Sequence, residues 1–190
     1  MLQVPLLGRL RAEPADDHTS YETLTFLFTD IVDSTRLWER DPVSMSEALD
    51  HHDSILCMTV DRHLGFVLTA VGDGFCIAFA NPCQAIGAAV EALRQLTRWE
   101  WATPEPLVVR MAIHTGEAQR KNGTYVGPPL NQTARILSLA RPGEILVSHT
   151  TRNLLGMAFD DDARLSDLGE RRLRGISTPQ RIYRLDPGSA

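Results

Sequence analysis

The chain predicts an α+β fold, a sandwich of the ferredoxin-like kind with a βαββαβ core. Three observations carry this expectation. Helical and strand periodicities interleave in the order β-α-α-β-β-α-β-α-β-α-β-β, with a hairpin and at least one crossover. Val71-Gly72-Asp73-Gly74 lies between two apolar runs and signals a hairpin with Asp73 near its tip. The 190 residues are 43% hydrophobic and 23% charged, which suits one domain with a sizeable core.

Residues 1–20 read as a flexible N-terminal extension, because residues 11–20 are polar, contain a proline and show no period. The compact domain is expected over residues 21–186, with a tail at 187–190. Residues 24–29 are rich in Phe, Leu and Thr and form a strand. Asp33, Ser34 or Thr35 then caps a short helix that runs to Trp38. A second helix covers residues 44–63, with Met45, Leu49, His52, Ile55 and Val60 near helical spacing. Residues 66–70 and 75–80 are the strands that flank the hairpin signal. Pro82 opens a third helix reaching 101, with Ala85, Ala88, Ala89, Leu93 and Leu96 inward. Leu107, Val109, Met111 and Ile113 alternate along a strand. Pro128-Pro129 opens a fourth helix, which Pro142-Gly143 ends. A strand over 145–148, a short helix over 150–155 and strand-like runs over 157–168 and 180–185 complete the chain.

Composition removes several classes. A net charge of −5 and a pI near 5.6 oppose a nucleic-acid binder, which carries a basic field. No apolar run approaches the roughly 20 residues of a membrane span. The N-terminus lacks the basic region of a signal peptide. Cys57, Cys76 and Cys83 form no CxxC pair and read as reduced thiols, with Cys76 in the core, so a cytoplasmic location is expected.

The chemistry-bearing residues stand at the ends of predicted elements. Asp30, in Phe28-Thr29-Asp30-Ile31, and Asp73 each end a short apolar stretch. A carboxylate at the end of a buried strand is costly unless it is solvated, paired or bound to metal. On the fourth helix Asn131 and Arg135 are four residues apart and leave one face. Leu130, Ala134 and Leu137 are expected to form its apolar stripe. Taken alone, Asn131 and Arg135 read first as a solvent-exposed polar face. An amide beside a guanidinium also suits a phosphate-rich ligand.

Together these strings resemble the class III nucleotidyl cyclase catalytic domain, nearest to the actinobacterial adenylate-cyclase-like domains. The likeness rests on Phe28-Thr29-Asp30-Ile31, Val71-Gly72-Asp73-Gly74, the run from Gly127 to Arg135, and Leu173-Arg174-Gly175-Ile176, in that order over residues 22–186. It implies that Asp30 and Asp73 hold two divalent cations, Mg²⁺ or Mn²⁺, with the Ile31 backbone beside them. The amides of Ile31, Val32 and Asp33, with Ser34 and Thr35 next along, would cradle phosphates. Asn131 would orient the ribose, and Arg135 would neutralise charge on the transferring phosphoryl group. Arg174 takes the place of a common lysine and reaches phosphate, or else belongs to a solvated basic edge with Arg171 and Arg172. One copy of each set implies a head-to-tail homodimer with shared sites.

The departures are Thr69 and Thr124. They occupy the places of a base-selecting Lys, four residues before Asp73, and an Asp, seven before Asn131. Each exchange replaces a charge-assisted hydrogen bond of roughly 1.5–3 kcal/mol with a neutral one of about 1. The expectation is therefore a weak adenylate cyclase making cyclic AMP from ATP, with GTP open as an alternative substrate. The alternative is a non-catalytic or regulatory domain that binds nucleotide or dimerises. A diguanylate cyclase is more distant, because no Gly-Gly-Asp/Glu-Glu-Phe string occurs. His51-His52-Asp53 reads as solvated helix, His114 as a strand bend, and Asp160-Asp161-Asp162 as an exposed loop.

Overall fold

The computed structural model describes residues 20–156 and 164–188. The expected extension therefore lies outside the described residues except for Ser20, as does Asp160-Asp161-Asp162. The elements are β1 (Ser20–Ile31), α1 (Ser34–Arg40), α2 (Pro42–Arg62), β2 (Phe66–Val71), β3 (Gly74–Phe79), α3 (Pro82–Arg98) and β4 (Val109–Lys121). They continue with β5 (Thr124–Val126), α4 (Pro128–Leu137), β6 (Ile145–Ser148), α5 (His149–Leu154), β7 (Arg164–Arg171) and β8 (Gln180–Asp186).

The sheet order is β2-β3-β1-β4-β6-β8-β7, and β5 pairs with β4. Every described pairing is antiparallel except β4 with β6, which α4 joins as a crossover. The first four strands with their helices are the expected βαββαβ unit. Alternation along β1 sends Leu27 and Ile31 into the main core and Leu24 and Phe26 to the other face. The main core packs under α2 and α3, with Leu37 of α1 and Leu155 beyond α5 at its edges. On the opposite face Leu130 and Ile136 of α4, with Ala140 beyond it, cover the sheet.

Local chemistry corrects several boundaries. Asp41 accepts a hydrogen bond from the Ser44 amide at 3.1 Å, so α2 starts at Pro42 rather than Ser44. Asn81 accepts from the Cys83 amide and starts α3, which stops at Arg98, short of residue 101. β4 runs on to Lys121, where Asn122 and Gly123, at φ 52° and 76°, turn the chain into β5. That Asn-Gly pair is a strong hairpin signal, and it adds a strand to the expected order. Asp33 stands at the N-cap of α1 in a left-handed conformation, and no side chain caps the helix. The cap expected from Asp33, Ser34 or Thr35 is absent.

His52 is fully buried, with Nδ1 2.8 Å from Asp53 and its ring edge-on to Phe75 at 5.9 Å. His51 is exposed and the Asp53 side chain is 37% exposed, so only His52 departs from the solvated reading. His114 lies inside continuous β4, not at a bend, with Nδ1 2.8 Å from Ser148 Oγ. Burial depresses its pKa to about 4. Cys76 packs in the core as expected, and burial pushes its thiol up to about 12.

Candidate active site

β1 and β4 pair so that Asp30 faces Arg110 across the ladder. The Arg110 Nε and Nη2 both donate to Asp30 Oδ2, at 2.7 and 2.5 Å. On the other side of β1, Thr29 pairs with Phe75, whose amide donates to Thr29 Oγ1 at 3.3 Å. One further step along each strand places Asp30 beside Gly74, so Asp30 and Asp73 share one end of neighbouring strands. Such strands lie about 5 Å apart.

Asp73 occupies the two-residue turn between β2 and β3, where Gly72 adopts φ +63°. Its Oδ2 is buried and has no hydrogen-bond partner among the described residues. A buried carboxylate oxygen without a donor is expensive, and a cation relieves that cost. No third His, Cys, Asp or Glu joins the pair among the described residues. A pair of carboxylates still suits Mg²⁺, which is bound through one or two carboxylates plus water and substrate phosphates.

The backbone beside Asp30 divides its roles. The Val32 amide donates to the Val108 carbonyl at 2.9 Å. It is already used, which corrects the expectation that it cradles phosphate. In an antiparallel ladder the residue one place back points its N–H and C=O the other way. Ile31 therefore directs its backbone groups away from β4, toward the Asp73 side. Asp33 follows at φ 55°, with Ser34 half-buried and Thr35 exposed in the first turn of α1.

Asn131 and Arg135 are both exposed on α4. The helix buries Pro129, Thr133 and Ile136 instead, and Ala134 is exposed. Of the expected stripe, Leu130 and Leu137 pack half-buried against the sheet-side clusters, and only Ala134 faces outward. Thr133 satisfies its hydroxyl by donating to the Pro129 carbonyl at 2.7 Å. α4 approaches the sheet closely at Gly116, where an added Cβ would stand 2.9 Å from Pro129 Cβ. Gly116 pairs with Leu24, which on β1 lies roughly 20 Å from Asp30 at the usual strand rise. Asn131 and Arg135 point outward from the helix, away from the sheet that carries the aspartates.

Thr124 begins β5 opposite Lys121, half-buried, and Thr69 lies exposed on the edge strand β2 next to an irregularity at Leu68. Leu68 and Tyr125, the neighbours of the two threonines, pack against the same small cluster as Leu130. Arg174 is exposed in the loop between β7 and β8. Leu173, buried in the cluster of Ile136, anchors that loop beneath α4.

The profile of the adenylate and guanylate cyclase catalytic domain matches residues 17–186. The chain belongs to that family. Its fold agrees with a solved adenylate cyclase of Trypanosoma brucei in the monomeric state, with a TM-score of 0.81, 26% identity, and coverage of 87% of this chain and 88% of that one. A guanylate cyclase domain from Catenaria anguillulae, solved with GTP, shares the fold at a TM-score of 0.77 and 16% identity, covering 90% of this chain and all of that one (100%). An uncharacterized protein of Mycobacterium tuberculosis is 34% identical over 165 residues, covering 86% of this chain and 55% of that protein. The chain thus spans about half the length of the mycobacterial relatives it matches. Mycobacterial relatives are in keeping with the expected actinobacterial likeness.

Within this cyclase domain Arg110 is a site residue that its own sequence neighbourhood does not single out. An arginine inside the alternating apolar run of β4 needs a carboxylate or an exit to solvent. Only the strand register shows that Asp30 supplies it. No helix of the described residues is long and apolar enough to cross a membrane.

Proposed function

We propose that this domain converts ATP to cyclic AMP and pyrophosphate, at sites completed by a second copy of the chain. The observation that carries this reading is the Oδ2 of Asp73, buried and without a partner among the described residues, at the strand end it shares with Asp30. Two divalent cations, Mg²⁺ or Mn²⁺, held by Asp30, Asp73 and the Ile31 carbonyl, would supply Lewis-acid charge to the triphosphate and the ribose 3′-hydroxyl.

The chain's own groups do the rest. Arg110 neutralises Asp30 until a stronger cation arrives. The amides of Ile31 and Asp33, with Ser34 and Thr35, line the phosphate end. Asn131 orients the ribose, and Arg135 meets the charge that builds on the transferring phosphoryl group. Arg174 reaches the phosphates from the β7–β8 loop. Thr69 and Thr124 face the base with hydroxyls that donate or accept, which supports relaxed selection and leaves GTP as the alternative nucleotide. The outward direction of Asn131 and Arg135 supports a head-to-tail homodimer, in which α4 of one copy covers the aspartates of the other.

A second reading is a regulatory, nucleotide-binding cyclase-like domain with little turnover. It is favoured by the two threonines and by the Arg110 guanidinium that already neutralises Asp30. Incubation of the purified protein with ATP and Mn²⁺, beside Asp73→Ala, distinguishes the two. Cyclic AMP from the wild type alone supports the cyclase. Equal signals from both proteins remove it.

A further inference from the structure

A cavity of about 190 Å³ opens on the α4 face of the sheet, beside the turn that follows α4. Three arginines line it: Arg141 from that turn, Arg171 at the end of β7 and Arg184 on β8. The chain as a whole carries −5, so three guanidiniums at one cavity run against its overall charge. Among the described residues their local compensation is incomplete. Arg184 pairs with Asp186 at 3.0 Å. Glu144, the one carboxylate of the lining, accepts from the Arg141 backbone amide at 2.9 Å. Arg171 donates to the carbonyl of its own neighbour Glu170. The accessible apolar lining is Leu139, 39% exposed, and half-buried Leu168, which lie over the fully buried Leu146 and Ile182.

We propose that this cavity is a second ligand site, separate from the aspartates, for a small oxyanion with an apolar body. Arginine forks match carboxylate and phosphate oxygens with paired hydrogen bonds, and the Leu139 and Leu168 side chains receive the body. The volume is below the roughly 300–1,000 Å³ of pockets for drug-sized molecules, which excludes a nucleoside triphosphate. An occupant presses on the turn that ends α4, the helix carrying Asn131 and Arg135, so it is placed to adjust that helix.

The test is a titration of methyl-labelled protein in EDTA with phenyl phosphate, benzoate and inorganic phosphate. Saturable shifts of the Leu146 and Ile182 methyls are expected with phenyl phosphate or benzoate, and weaker ones with inorganic phosphate. Whichever aryl anion binds tighter identifies phosphate or carboxylate as the preferred head. Arg141→Gln and Arg184→Gln should each weaken binding about tenfold or more, the effect of losing a hydrogen bond to a charged group, with the remaining methyl spectrum unchanged. Arg174→Gln should leave the titration unaltered. Absence of shifts at Leu146 and Ile182, or their loss in Arg174→Gln but not in Arg141→Gln, overturns the site.

Discussion

Arg110 holds Asp30 through two nitrogens on one carboxylate oxygen, at 2.7 and 2.5 Å, in a pair about one third exposed. The bond joins facing positions of β1 and β4. A guanidinium therefore stands where the proposed site wants a metal, and the two cations compete for Asp30. Arg110→Ala should tighten Mn²⁺ binding without nucleotide, by about tenfold, as one neighbouring positive charge is removed. It should also lower metal-free stability by about 1 kcal/mol, since the pair is partly solvated. Paramagnetic titration of Mn²⁺ checks the first and thermal unfolding the second. An unchanged Mn²⁺ affinity would mean that Arg110 and the metal do not share Asp30.

Asp73 gives the opposite pattern. Its Oδ2 is buried without a partner among the described residues, so Asp73→Ala removes an unfavourable group from the metal-free fold. Metal-free unfolding should stay level or rise by about 1 kcal/mol. The stabilisation that Mn²⁺ gives the wild type should disappear. A retained Mn²⁺ shift in Asp73→Ala would place the cation elsewhere.

Thr69 and Thr124 limit base recognition in this account. Thr69→Lys with Thr124→Asp should raise kcat/KM for ATP by about one to three decades and leave GTP behind. Steady-state assays with both nucleotides check this. An equal gain for GTP would separate these positions from base selection.

His114 ties stability to pH. Its folded pKa is near 4, against an ordinary 6.5, because it is buried beside Ser148. The unfolded chain binds a proton that the folded one refuses, so this contribution is fully present above pH 6.5. It is lost as pH falls from 6.5 toward 4. The loss is on the order of 3 kcal/mol. Urea unfolding of His114→Gln should show a flatter pH dependence across that window. An unaltered slope would assign the acid sensitivity to other groups.

Gly116 sets the seat of α4. An added Cβ would meet Pro129 at 2.9 Å, and the proline ring has little freedom to yield. Gly116→Ala should cost about 1–3 kcal/mol and shift the helix that carries Asn131 and Arg135. Cyclic AMP formation should fall further than the stability loss explains. Full activity in a folded Gly116→Ala protein would separate the seat of α4 from turnover.

Much of this architecture is written locally. Apolar alternation, the Gly72-Asp73 turn and the proline openings of α3 and α4 each act within a few residues, so the order of elements and the βαββαβ core were legible. Asp30, Asp73, Asn131 and Arg135 stood out because their motifs are short and contiguous. Arg110 did not, because its meaning depends on strand register between residues far apart in the chain. The stripe of α4 holds at Leu130 and Leu137 and fails at Ala134: alanine is apolar but exposed here, and Thr133 is buried because the Pro129 carbonyl satisfies its hydroxyl. His52 stands beside charged neighbours, yet its helical spacing with Met45, Ile55 and Val60 turns it inward.

The central claim is one site built from two copies of the chain, and subunit mixing tests it most directly. Asp73→Ala and Arg135→Ala are prepared separately, then combined in equal amounts with ATP and Mn²⁺. Each alone should make no cyclic AMP. In the mixture, half the dimers carry one intact site of two, so about a quarter of wild-type activity should return. A mixture as silent as its components, beside an active wild type, would contradict the shared site.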